Sequence, residues 1–164
     1  MPRFAPKNPD YREAATATFA AQPAMRTLGI SIARLEPGEV ELVMDYSADF
    51  TQQNGFVHAG AITAGLDTAC GIAAFTLMPA GVDILTVEFK TNLLAPAKGE
   101  RFRFRASVVK PGRTLTVCEA RAIAIQKGIE TLVATMTGTL MALAPREPAG
   151  LRPAVGAAEQ FGGH

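Results

Sequence analysis

The sequence predicts an α+β fold: a strongly curved antiparallel sheet wrapped around one long central helix. Three observations carry that expectation. Ala59 to Met78 is built almost wholly of small and apolar residues, so a helix there is apolar nearly all round, and a flat sheet would leave half of it in water. Two strand-like segments precede it and four come after it. The connections between the later segments are short turns, which favour antiparallel neighbours.

Taken in order, Pro9 to Ala21 reads as a short helix, with Asp10 as its cap, Glu13 three residues on, and Gln22-Pro23 as its stop. Met25 to Leu28 adds a turn. Ile30–Leu35 and Glu39–Tyr46 form a hairpin around Pro37-Gly38. In its second strand Val40, Leu42 and Met44 alternate with Glu41, Val43 and Asp45. Asp49 to Val57 is a polar loop, and Pro79-Ala80-Gly81 closes the long helix. Four more strands complete the set: Val82–Leu94, Glu100–Val109, Thr114–Ile125 and Thr131–Leu143. Pro96 to Gly99, Lys110 to Arg113 and Lys127-Gly128 separate them. Residues 1–144 thus form a single domain. The remaining 145–164, rich in Pro, Gly and Ala, are expected to be a flexible tail.

At 164 residues, 48% hydrophobic and 19% charged, the chain is ordinary in composition and long enough for a real core. A net charge of +1 and an aromatic content of 7% argue against a nucleic-acid partner. Cys70 and Cys118 have no Cys or His at ligand spacing, so no metal is expected. The charged, proline-containing N-terminus does not resemble a signal peptide, and a cytoplasmic location is expected. A membrane span over Ala59 to Val82 is disfavoured by its Ala, Gly and Thr content and by Asp67 near its middle.

Asp67 is the residue that needs a reason. Burial of a carboxylate among apolar neighbours raises its pKa, which makes it a better base for water. The plain alternative is a structural acid bonded to Thr63, Thr68 or nearby backbone. His58 and Asp67 are nine positions apart, about 900° of helical rotation and about 13 Å of rise, so they point to opposite sides. They cannot meet around one substrate atom within one chain. A second copy can supply the missing partner, which predicts a composite site in a two-fold homodimer. Around Asp67 lie Thr63, Ala64, Cys70, Gly71 and Ala74, all small, suited to close approach by a ligand or another subunit. On the strand Val82–Leu94, alternation puts Thr86, Glu88, Lys90 and Asn92 on a polar face and Leu85, Val87, Phe89 and Leu93 in the core. Arg101, Arg103 and Arg105 read as a solvated strand face or as phosphate ligands.

The run QQNGFVHAGAITAGLDTACGIAA resembles the signature of hotdog-fold thioesterases of the phenylacetate-degradation type, N-G-x-V-H-G-G and then an apolar helix bearing an acid. TVEFKTNLLAPAKGERFRFRASVVKPGRTL resembles the next segment of that family, and the likeness covers roughly residues 25–143. It implies hydrolysis of an acyl-coenzyme A thioester without a further cofactor. Asp67 is then the base or nucleophile, the Ala59 N–H polarises the thioester carbonyl, Gln52 sits near that carbonyl, Thr86 orients the water, and His58 braces the turn or takes part. Asn54, Gly55, Gly60, Thr68, Lys90 and Asn92 join as binding candidates. Lys110 and Arg113 fall where the family places a basic residue near the nucleotide. The expected assembly is a dimer with composite sites, further paired into a tetramer. One departure stands out: the usual H-G-G is His58-Ala59-Gly60, which matters if the backbone at Ala59 needs a positive φ. A dehydratase or hydratase on the same fold and a non-catalytic acyl-coenzyme A binding module are the alternatives. No G-x-S-x-G is present to suggest a serine hydrolase.

Overall fold

The computed structural model describes residues 4–144; the expected tail lies outside the described residues. Helix α1 (Tyr11–Ala20) and a single turn, α2 (Pro23–Thr27), open the chain. Two boundaries differ from expectation. Asp10 stands at the N-cap of α1 but makes no side-chain cap bond; the Asn8 side chain instead accepts from the Asp10 N–H at 3.0 Å. Pro23 does not merely stop α1: it occupies the first turn of α2, where its missing N–H is no loss.

Strands β1 (Ile30–Glu36) and β2 (Glu39–Asp45) pair as the predicted hairpin. A short 3-10 turn over Ala48–Phe50 leads to helix α3 (Ala59–Phe75), capped at its C-terminus by Thr76, so the helix is slightly shorter than the sequence suggested. Strands β3 (Asp83–Leu93), β4 (Arg101–Lys110), β5 (Leu115–Gln126) and β6 (Ile129–Leu143) complete one six-stranded antiparallel sheet, ordered β1-β2-β4-β5-β6-β3.

That order departs from the expectation that consecutive strands are neighbours. β3 and β4 are joined by only seven residues, 94–100, yet β3 pairs with β6 at one edge while β4 pairs with β2 and β5. The connection crosses instead of turning back. It is held where it crosses: the Leu94 and Ala95 N–H groups donate to the Val133 carbonyl, and the Val57 N–H donates to the Ala97 carbonyl at 3.0 Å. The connection thereby ties the loop before α3 in place.

The core lies between α3 and the concave face of the sheet. α3 contacts all six strands, and Ile62, Leu66, Ala69, Ile72 and Ala73 are buried against Leu42, Phe102, Phe104 and Leu140. Gly65 shows how tight this contact is. A Cβ there would come within 2.6 Å of the Phe104 ring, so only glycine lets the helix settle on β4. Gly71 is different: a Cβ at that position meets nothing within 4 Å. A helical glycine costs up to about 1 kcal/mol relative to alanine, and packing within the chain gives Gly71 no reason.

β3 corrects a further expectation. Its register shifts between Thr86 and Glu88, leaving Val87 as an extra residue. Thr86 lies opposite the buried Leu140 and therefore faces the helix. Past the bulge Phe89, Thr91 and Leu93, opposite Gly138, Met136 and Ala134, take that face, while Glu88, Lys90 and Asn92 turn outward. Thr86 is thus separated from the polar set to which simple alternation assigned it. Nor are Leu85, Val87, Phe89 and Leu93 core: each is 44–59% exposed along this edge strand. Among the described residues, no helix is long and apolar enough to cross a membrane.

Candidate active site

Asp67 is the only charged residue of α3. It is half-buried, and the Thr86 hydroxyl on β3 donates to its Oδ1 at 2.8 Å. Register opposite Leu140 turns Thr86 toward the helix, and the bulge that follows turns the rest of the polar face away. Of the structural partners considered for the acid, neither Thr63 nor Thr68 is used. Burial pushes the Asp67 carboxyl above the ordinary carboxylate range, and the Thr86 bond pulls part of the way back. The pair opens into a cavity of about 290 Å³, lined also by Thr68, Gly71, Thr18 from α1, Gln22 from the linker to α2, and Asp83 at the start of β3.

The opposite end of the site is built by the turn before α3. The His58 N–H donates to the Phe50 carbonyl at 2.8 Å and the Gln52 N–H to the Phe56 carbonyl at 2.9 Å. Gly55, at φ +78°, closes the turn in a conformation that glycine adopts without strain. His58 is the N-cap of α3, with φ −60° and ψ 139°, and its Nδ1 accepts from the Gly60 N–H at 2.9 Å. The ring therefore keeps its proton on Nε2. The Gly60 N–H is thus occupied, and the Ala61 and Ile62 N–H groups both donate to the His58 carbonyl. Among these first-turn donors, the Ala59 N–H alone has no partner among the described residues.

Ala59 does not have a positive φ; among the described non-glycine residues only Lys127 does. Alanine in place of the family's glycine therefore carries no backbone penalty here. The Gln52 side-chain oxygen accepts from the Asn54 N–H at 3.1 Å, which leaves its NH₂ end as a free donor. Gln52, His58 and Ala59 line a second cavity of about 590 Å³ together with Phe56, Leu93 and Leu94.

The structure thus brings Asp67, Thr86 and Thr68 together, and separately Gln52, His58 and Ala59. It does not bring the two groups together, as the helical arithmetic required. Asn54 and Gly55 are exposed in the turn. Lys90 and Asn92 lie on the outer face of β3, where Asn92 bonds the Thr135 hydroxyl at 3.4 Å. Lys110 and Arg113 flank the β4–β5 turn, whose Gly112 lies beside Leu77 and Met78, beyond the C-terminal end of α3. Both are exposed and without ion pairs among the described residues. The strand arginines, by contrast, are neutralised: Arg101 by Asp45 at 2.6 Å, and Arg103 and Arg105 by Glu41 and Glu130. Cys70 and Cys118 are buried free thiols, and the Cys118 S–H donates to the Cys70 carbonyl at 3.6 Å. Among the described residues, no group of three or more His, Cys, Asp or Glu is placed to hold a metal ion.

Sequence reasoning missed Thr18 and Gln22. For Thr18 the signal was present, since positions 15, 18 and 19 share one helical face; Gln22 lies past the end of the helix, where periodicity says nothing.

A six-stranded antiparallel sheet around one long helix that carries a half-buried acid is the hotdog arrangement. A family model described as the thioesterase superfamily matches residues 54–130. A Saccharolobus solfataricus protein inferred to be an esterase is 31% identical over 99 residues, covering 60% of this chain and 70% of its own length. The crystal structure of a thioesterase family protein from Silicibacter pomeroyi is 57% identical, with a TM-score of 0.81 over 82% of this chain and 98% of that one. The PaaI protein of the E. coli phenylacetic acid degradation operon shares the fold, with a TM-score of 0.74 over 85% of this chain and 97% of its own at 17% identity. The chain belongs to the thioesterase superfamily, and thioester hydrolysis is the activity this membership supports.

Proposed function

We propose that the protein hydrolyses acyl-coenzyme A thioesters at sites shared between two copies of the chain. The observation that carries the chemistry is the Asp67–Thr86 pair opening into a cavity from an otherwise uncharged helix. Asp67 takes a proton from water as the water oxygen attacks the thioester carbonyl carbon. The oxyanion that develops is met by the Ala59 N–H and the free Gln52 amide. As the tetrahedral intermediate collapses the C–S bond breaks, and the thiolate, a good leaving group, takes up a proton from Asp67 or solvent. The unpaired cations Lys110 and Arg113 suit the phosphates of coenzyme A.

Sharing is supported by the edge strand. β3 presents one unpaired backbone edge and a row of exposed apolar side chains, which is a template for pairing with another strand. The two cavities border opposite ends of it: Leu93 and Leu94 line the Ala59 cavity, and Leu85 and Thr86 line the Asp67 cavity. Antiparallel self-pairing about the middle of β3 sets the Leu93 end of one copy beside the Thr86 end of the other. The oxyanion donors of one subunit then face the carboxylate of its partner.

A panel of acyl-coenzyme A thioesters read by free-thiol release tests the activity. Turnover of at least one acyl class well above background is expected; binding without thiol release across the panel contradicts it. The pH profile gives a second test. The acidic limb of kcat is expected above the ordinary carboxylate range near 4. Thr86→Val, which removes the bond favouring the charged form, moves that limb to higher pH. A limb that stays put or moves down contradicts the assignment of Asp67 as base.

A further inference from the structure

Helix α1 and the linker that follows it place two polar side chains, Thr18 and Gln22, on the cavity beside Asp67. Ala15 is fully buried and Phe19 packs against the core; Thr18 shares their face of α1, and Gln22 follows just past the helix, extended at the N-cap of α2. α1 is anchored at its other end, where the Arg12 guanidinium donates to the Leu35 carbonyl and pairs with Glu36. Thr18 and Gln22 are half-buried, line the Asp67 cavity, and have no side-chain hydrogen-bond partner among the described residues. Gly71, one helical turn beyond Asp67, lines the same cavity, and a Cβ there would meet nothing within 4 Å. An open floor and two unpaired hydrogen-bonding groups therefore face one space beside the carboxylate.

A coenzyme A thioester has two arms beyond its carbonyl. The long pantetheine-nucleotide arm needs the larger, 590 Å³ cleft and an exit to solvent. The 290 Å³ cavity is suited to the shorter acyl arm. We propose that the Asp67 cavity takes the acyl group and that Gln22 and Thr18 select acyl groups carrying a hydrogen-bonding substituent over plain hydrocarbons of the same length. The proposal rests on the acyl-coenzyme A reading above and adds to it the class of acyl group. A donor or acceptor on the substrate pairs with the Gln22 amide and the Thr18 hydroxyl, whereas a methyl end leaves both unsatisfied.

Non-hydrolysable alkyl thioethers of coenzyme A, butyl to octyl, each with and without a terminal hydroxyl, provide the test. Calorimetric affinities for wild type, Gln22→Leu and Thr18→Val need no turnover. Both substitutions approximately conserve volume, and a melting curve for each confirms folding. At the best-fitting length, wild type is expected to bind the hydroxylated ligand about tenfold or more tighter. Gln22→Leu abolishes that preference and Thr18→Val reduces it, with affinity for the plain alkyl ligand unchanged or improved. Binding without discrimination, or discrimination that survives both substitutions, overturns the proposal alone. Failure of every thioether to bind overturns the acyl-coenzyme A reading and the proposal with it.

Discussion

Asp67→Asn is expected to lower kcat by about 10²–10⁴-fold while leaving the protein folded. The side chain keeps its size and can still accept from the Thr86 hydroxyl, but it cannot take a proton from water. Stability should not suffer. The Asp67 carboxyl has a raised pKa in the folded state because burial disfavours its charge. A carboxylate shifted in that direction supports folding most below its unfolded pKa near 3.9, and that support is lost as pH rises through the folded value. At neutral pH the wild type therefore carries a desolvated charge that the Asn variant does not. The melting temperature of Asp67→Asn at pH 7–8 is expected to equal or exceed that of wild type, with the advantage shrinking toward pH 4. A variant that melts well below wild type at neutral pH, or that retains full activity, contradicts the role assigned to Asp67.

Ala59→Pro is expected to lower kcat by about 10²–10³-fold, again without loss of fold, by deleting one oxyanion donor. Ordinarily proline in a helix is disruptive, but Ala59 is the first residue of α3, where the N–H has no intrahelical partner and proline is favoured. His58, which precedes it, is already out of the α region, with ψ 139° inside the range proline imposes on its predecessor. The Ala59 N–H has no partner among the described residues, so its removal breaks nothing inside the chain. Ala59→Gly keeps the N–H and should retain activity near wild type. If Ala59→Pro is as active as Ala59→Gly, the donor lies elsewhere.

Both ends of the candidate site were legible from residues, though for different reasons. Asp67 stood out because a lone charge in an apolar helix is conspicuous, and nine residues of helical rotation were enough to separate it from His58. The turn from Gln52 to Gly60 was legible through its resemblance to a family signature. Alternation and turn residues located all six strands; five carry apolar residues on a face they bury, and β3 carries them exposed along its edge. The arrangement of β3 was not legible. One extra residue at Val87 reverses which side chains face the helix, and a bulge leaves no mark on the pattern of residue types. Neither was the crossing of residues 94–100 legible, since a short loop rich in Pro, Ala and Gly reads as a hairpin. The exposed row on β3 was mistaken for core because exposed and buried apolar residues look alike in sequence. The same limit hid the cap on Gly60: that His58 folds back through Nδ1 depends on a rotamer, and composition says nothing of rotamers.

Sharing of the site between subunits is the central claim, and mixed dimers test it most directly. Asp67→Asn and Ala59→Pro are each expected to be nearly inactive alone. They are unfolded together, refolded at equal concentration and compared with each variant refolded alone. If each site takes Ala59 from one chain and Asp67 from the other, every mixed dimer contains one doubly damaged and one intact site. With random pairing about half the dimers are mixed, so the mixture should regain about a quarter of wild-type activity. If both groups act within one chain, every site carries a lesion and the mixture stays as inactive as its components, which would contradict the account.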